Sequence, residues 1–278
     1  MTQRQRLIAL GIGAAVAGVT GGGGFYGARE LLHRQAEHAR RLIGKPLGET
    51  PPQADRVWRR SYEGRPVDLL LLGDSIAAGL GADRRKETLG GRLAKGLAKR
   101  LGRPVRLRTV AVVGSESAAL AAQLDGLPAT YRPDVAVIVV GGNDVTHRVP
   151  VADSVESLAV CIRRLRAVGT GVVVGTCPDL GLLRPVPQPL RSLGSRASRQ
   201  LAAAQEEAAV VAGAYAVSLA RVVGPFFITN PDEMFSLDRF HPSPLGYKRT
   251  ASALLPSVLA ALGAAEEVPF GHVAPVPV

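Results

Sequence analysis

Cysteine is almost absent from this chain. Cys161 and Cys177 are the only two in 278 residues, too few for a disulfide scaffold and at a spacing that matches no zinc pattern. Two buried thiols are the expected state, with one disulfide as the alternative. Lysine is scarce as well: 5 of the 34 basic residues are Lys and 29 are Arg, in a chain also rich in Ala and Gly. The formal net charge of +11 therefore reads as compositional bias rather than as a nucleic-acid footprint. More than half of that surplus, +6, lies in the first 60 residues. No Gly-x-Gly-x-x-Gly follows a strand-like run, no zinc or phosphate motif appears, and there is no internal repeat. Hydrophobic content is not lacking. At 46% hydrophobic and 21% charged, the chain is excluded from wholesale disorder and fits one α/β domain of about 200 residues with extensions.

Arg4 and Arg6 precede 22 uncharged residues, 7–28, before Arg29. As a helix this run would be about 33 Å long, enough to cross a bilayer's hydrocarbon core. Eight of its residues are Gly. The expectation is a membrane-anchoring segment with the folded domain outside the cytoplasm. The alternatives are a signal peptide cleaved near Ala15-Val16-Ala17, giving a secreted protein, and a buried soluble helix. Basic residues on both flanks leave the positive-inside count ambiguous. Residues 29–61 read as a polar helix from Glu30 to Arg41 and a linker containing Pro46, Pro51 and Pro52. The folded domain is expected over 62–263, with an irregular tail over 264–278.

Inside the domain, apolar runs at 67–72, 105–113, 135–140, 171–175 and 214–218 alternate with Ala-rich segments of helical length at 87–101, 117–124, 151–168, 196–212 and 243–262. Continuous apolar runs without polar alternation suit strands buried on both faces of a parallel sheet. Five repeats predict a doubly wound α/β sheet, in which ligands bind beyond the carboxyl ends of the strands.

Three strand ends and one late loop carry the chemistry. Gly73-Asp74-Ser75 follows the first run, so the Ser75 hydroxyl is expected at the crest of the sheet with its N–H at a helix start. The bland alternative is that Ser75 only caps that helix. Gly114 follows the second run and would offer an open backbone N–H. Gly141-Gly142-Asn143-Asp144 follows the third, where Asn143 could aim an amide into the site or merely satisfy a turn. Far downstream, Asp238 and His241 stand three residues apart before Pro242, a spacing at which a carboxylate can hold an imidazole in the tautomer of a general base. Together these supply a nucleophile, a base, an orienter and three oxyanion donors.

In order and spacing these four segments resemble the conserved blocks of the SGNH (GDSL) hydrolases, from about Val67 to Leu262. Ile76 stands where the name-giving motif has Leu, and the second block has Thr109 near the place where an Asn often opens it. The resemblance implies a three-layer α/β/α flavodoxin-like sandwich with a five-stranded parallel sheet. It also implies Ser75 as nucleophile, His241 as base and Asp238 as orienter, with Ser75, Gly114 and Asn143 forming the oxyanion hole. It calls for no cofactor and no metal. The Gly-Asp-Ser turn is not the Gly-x-Ser-x-Gly elbow of α/β-hydrolases.

The expected activity is hydrolysis of carboxylic esters, esterase- or lipase-like, on a small-molecule, lipid or polysaccharide substrate. A carbohydrate O-deacetylase or O-acyltransferase at the cell envelope would use the same residues, and a non-catalytic envelope-binding protein is the third class. Two further segments bear on substrate. Residues 180–189, with Pro185, Pro187 and Pro189, form either a stiff lid or an ordinary surface loop. Arg84, Arg85 and Lys86 either attract an anionic lipid or polysaccharide or are a solvated charged face.

Overall fold

A computed structural model describes residues 26–276 apart from positions 45, 47 and 49. The expected membrane segment thus lies almost wholly outside the described residues. Among the described residues, no helix is long and apolar enough to cross a membrane. The chain enters through a helix, α1 (residues 26–43), whose Gln35 side chain donates to the Gln188 carbonyl at 2.6 Å and accepts from the Leu190 N–H at 3.2 Å.

Seven strands form one sheet: β1 (Arg56–Trp58), β2 (Val67–Gly73), β3 (Val105–Thr109), β4 (Val135–Val139), β5 (Gly171–Gly175), β6 (Tyr215–Val217) and β7 (His272–Val273), in the order β1-β3-β2-β4-β5-β6-β7. The five central strands are parallel, as the apolar runs predict. The two edge strands pair antiparallel and were not expected. They carry the sheet past both ends of the expected 62–263 domain, into the presumed linker and the presumed irregular tail. Strands of three and two residues are too short to show a periodicity in sequence.

Helices cover both faces. α3 (Leu89–Leu101) and α11 (Pro244–Ala261) lie on one face; α4 (Leu120–Asp125), α6 (Val151–Ala167) and α7 (Leu190–Val211) lie on the other. The leucines of β2 sort the two layers. Leu69 and Leu71 pack with α3 and α11, while Leu70 and Leu72 pack with α4 and α6. All four are fully buried, and truncating any one to Ala would cost about 2–5 kcal/mol. Both cysteines are free and buried, in keeping with the expected thiols, and burial pushes the Cys161 thiol up to about 12.

Strand order reverses at β2, with β3 on one side and β4 on the other. A doubly wound sheet opens a crevice at that point, because the crossovers on either side leave towards opposite faces. The crevice lies between the Gly73-Asp74-Ser75 and Gly141-Gly142-Asn143 turns.

Candidate active site

β2 ends at Gly73 with φ +125°, and a Cβ there would lie 1.9 Å from the Val139 carbonyl oxygen. Glycine is required for β2 and β4 to close at their tips. Asp74 then donates its N–H to that same carbonyl at 3.0 Å. Its carboxylate accepts the Ile76 N–H at 2.9 Å, capping the short helix α2 (Ser75–Ala78). The cap is therefore Asp74. Ser75 is the first helical residue, with its hydroxyl free to face the crevice.

Burial pushes the Asp74 carboxyl up to about 7 and the nearby Asp144 adds to the rise, against the N–H groups of Ile76 and Gly142 and the His241 imidazole. Asp144 is itself buried, accepting from the Ser117 N–H at 3.1 Å and the Ser154 hydroxyl at 2.7 Å.

The late loop is closed on itself. α9 (Gly224–Thr229) and α10 (Pro231–Met234) deliver the chain to Phe235, which bridges Pro242, and the Ser236 N–H donates to the His241 carbonyl at 2.8 Å. Asp238 sits inside this turn. One of its oxygens accepts from the Ser236 hydroxyl at 2.8 Å and from the N–H groups of Phe240 and His241 at 2.9 Å each. Its other oxygen faces His241 Nδ1 at 2.5 Å. Burial would raise this carboxyl, but the His241 ring and those N–H groups hold it down to about 2. His241 Nε2 lies 2.9 Å from Ser75 Oγ. Three side chains separated by 166 residues thus form one hydrogen-bonded line, with Ser75 at the sheet and Asp238 in the turn.

The oxyanion donors predicted from sequence meet less completely. Asn143 is the second residue of α5 (Gly142–His147), and its amide donates to the Ser115 carbonyl at 2.9 Å, leaving its second N–H for a ligand. As the first residue of a helix, Ser75 has no intrahelical acceptor for its own N–H. Gly114 adopts φ +84°, a left-handed conformation that glycine takes without strain. It is joined to the site through its neighbour Ser115 and is not itself a lining residue of the cleft.

Several supporting residues carried no local signal in the sequence. Gln123 clamps the backbone of Gly73, accepting its N–H at 2.9 Å and donating to its carbonyl at 2.8 Å. Gln205 does the same between strands, accepting the Cys177 N–H at 2.7 Å and donating to the Val140 carbonyl at 3.0 Å. Both are fixed by residues 28 or more positions away. Tyr247 is fully buried and donates to the Leu80 carbonyl at 2.6 Å, tying α11 to the segment after Ser75.

The cleft beside Ser75 holds about 790 Å³ of empty space including its open mouth. Ser75, Asn143 and His241 line its polar end, and its walls are apolar. Leu180, Leu182 and Leu183 supply one wall and Phe227, Phe235 and Phe240 another. Leu180, Leu182 and Leu183, at the start of the 180–189 segment, line the cleft. A polar corner opening onto an apolar wall suits a ligand with a polar carbonyl and a hydrophobic acyl part. Among the described residues, no group of three or more His, Cys, Asp or Glu is arranged to hold a metal ion.

Residues 71–249 match the model of the GDSL-like lipase/acylhydrolase family. A GDSL-like esterase of Mycobacterium tuberculosis is 40% identical over 278 residues, covering 96% of this chain and 87% of that protein. Esterase TesA of Pseudomonas aeruginosa is 35% identical over 106 residues, covering 38% of this chain and 52% of its own. Among solved structures, that of TesA superposes with a TM-score of 0.53 at 28% identity, covering 70% of this chain and 99% of that one. A lipase/acylhydrolase from Enterococcus faecalis, at 22% identity and a TM-score of 0.51, covers 68% and 93% and shares the fold.

Proposed function

The chain belongs to the GDSL-like lipase/acylhydrolase family and is an ester hydrolase, and from that premise we propose that it works through an acyl-enzyme on Ser75. The observation that carries this reading is the 2.9 Å approach of Ser75 Oγ to an imidazole whose other nitrogen is held by Asp238. His241 takes the hydroxyl proton as Ser75 Oγ attacks the ester carbonyl carbon. The N–H of Ser75 and the Asn143 amide receive the oxyanion, and the family resemblance adds the Gly114 N–H as a third donor, which would have to turn towards the cleft when substrate binds. The carbonyl–alkoxy bond then breaks, and His241 returns the proton to the departing alcohol. Water repeats the sequence on the acyl-serine, giving the carboxylic acid and free Ser75. Asp238 stays ionised throughout, orienting His241 and stabilising its protonated form.

The test is turnover of short p-nitrophenyl esters by the purified chain. Hydrolysis that disappears in Ser75→Ala and falls about 10²–10³-fold in Asn143→Ala supports the scheme; equal rates in wild type and Ser75→Ala overturn it. The same proposal assigns residues 7–28 as the membrane anchor, with the catalytic domain on the outer side. It rests on the length and lack of charge of that run. A reporter fused after Val278 that is active only in the cytosol would refute it.

A further inference from the structure

Much of the basic surplus reflects composition, yet the fold gathers part of it into one place. Two adjoining surface grooves share Arg56 and Trp58 along the β1 edge of the sheet. Arg84, Arg85 and Lys86 line one end, just before α3 begins. Arg59, Arg60 and Lys95 line the other. Asp83 is the single carboxylate lining either groove. Among the described residues none of these seven cations is ion-paired, whereas Arg65, Arg106 and Arg164 are each held by an aspartate. The Arg84 end also adjoins the catalytic loop. At Gly81 a Cβ would lie 2.4 Å from the Pro242 carbonyl oxygen and 3.1 Å from His241 Cβ. Arg84 follows three residues later, within about 11 Å along the chain.

We propose that this groove binds the acidic strand of a polysaccharide acylated on its hydroxyls, presenting its ester to Ser75; the proposal rests on the Ser75 reading above. A row of unpaired cations facing one carboxylate complements a polymer that repeats a negative charge, and a concave lining of one sign concentrates such a ligand. The shape is a groove along a sheet edge, which a flat bilayer cannot fill. Nucleic acid fits the charge but carries no carboxylic ester for an ester hydrolase to cut. Single-strand binding also relies on a series of exposed aromatic rings. Here the one aromatic ring in the lining is Trp58, with the Arg56 guanidinium over it, 5.7 Å from the centroid.

The experiment compares O-acetylated polygalacturonate, neutral O-acetylated xylan and p-nitrophenyl acetate as substrates for the full chain. It uses two variants, Arg84→Gln/Arg85→Gln/Lys86→Gln at one end and Arg56→Gln/Arg60→Gln at the other. The expected result is a rise of about tenfold or more in KM for the acidic polymer with kcat held. Turnover of xylan and p-nitrophenyl acetate should be unchanged. Calorimetry with non-acetylated polygalacturonate reads the groove independently of catalysis, so failure of the Ser75 scheme and failure of the groove are distinguishable. An unchanged KM, or an equal change on neutral xylan, overturns the proposal. So does a loss of affinity confined to single-stranded DNA or phosphatidylglycerol vesicles.

Discussion

Ser75 and His241, the proposed nucleophile and base, are held by opposite means. Ser75 stands on the crest of a five-stranded parallel core, positioned by backbone contacts between β2 and β4 that no side chain at Gly73 would permit. His241 stands on a surface turn fed by two short helices, positioned because one carboxylate gathers three donors and an imidazole. The first half depends on pairings across the whole sheet. The second is almost entirely local, and its organiser, Asp238, is also the proposed orienter of His241. The electrostatics differ in sign as well. Burial lifts the Asp74 carboxyl beside Ser75 to about 7, whereas hydrogen bonding overrides burial and holds Asp238 down to about 2.

Substitutions separate the two halves. The largest effect is expected at the reacting atoms. Ser75→Ala and His241→Ala should each lower kcat by about 10⁵–10⁶-fold with little change in melting temperature, while Asp238→Asn should lower it by about 10⁴-fold. Because Asp238 also closes the turn, its variant should lose thermal stability that Ser75→Ala does not. Steady-state kinetics beside differential scanning calorimetry reads both, and an Asp238→Asn variant with unaltered kcat would remove Asp238 from the scheme.

Backbone geometry gives the next contrast. Gly73→Ala forces a Cβ into the Val139 carbonyl and should destabilise the fold by at least about 3 kcal/mol. Ser236→Ala deletes one of three donors to Asp238 and should cost only about 1 kcal/mol, because two N–H groups remain. Comparable losses in urea titrations would contradict the division into a sheet-built half and a turn-built half.

The smallest effect is a slope against pH. Asp74 binds its proton more tightly in the folded state than in the unfolded chain, where a carboxyl titrates near about 4. The stability this confers is fully present below about 4 and is lost as pH rises through about 7. Asp238 has the opposite sign: its contribution is present above about 4 and is lost as pH falls towards 2. Between pH 4 and 8, the melting temperature of wild type should therefore fall relative to Asp74→Asn. Parallel curves would show that Asp74 does not titrate in this way.

Legibility in the sequence follows the same division. Ser75, Asn143, Asp238 and His241 could be read because each is a polar residue in a fixed relation to an apolar run, a glycine turn or a proline. All four are hydrogen-bonded within the site, and three of them line the cleft. The five parallel strands were equally visible, since burial on both faces leaves an unbroken apolar run. The cleft's far wall was not. α8 (Leu219–Val222) and α9 are four and six residues long, and Gly224 and Pro225 open α9, so no helical period develops. The glutamine clamps were invisible for another reason: Gln123 meets Gly73 across 50 positions, and no local pattern announces such a meeting. The proposed basic groove was legible only at Arg84, Arg85 and Lys86, because its seven cations come from three separate stretches that only the fold brings together.

Ser75 is the proposed nucleophile, and His241 the proposed base that activates it. Labelling the full chain with a fluorophosphonate, followed by peptide mapping by mass spectrometry, tests this most directly. The expected result is one adduct per chain on Ser75, absent in Ser75→Ala and strongly slowed in His241→Ala. An adduct on another residue, or labelling of His241→Ala at the wild-type rate, would contradict it.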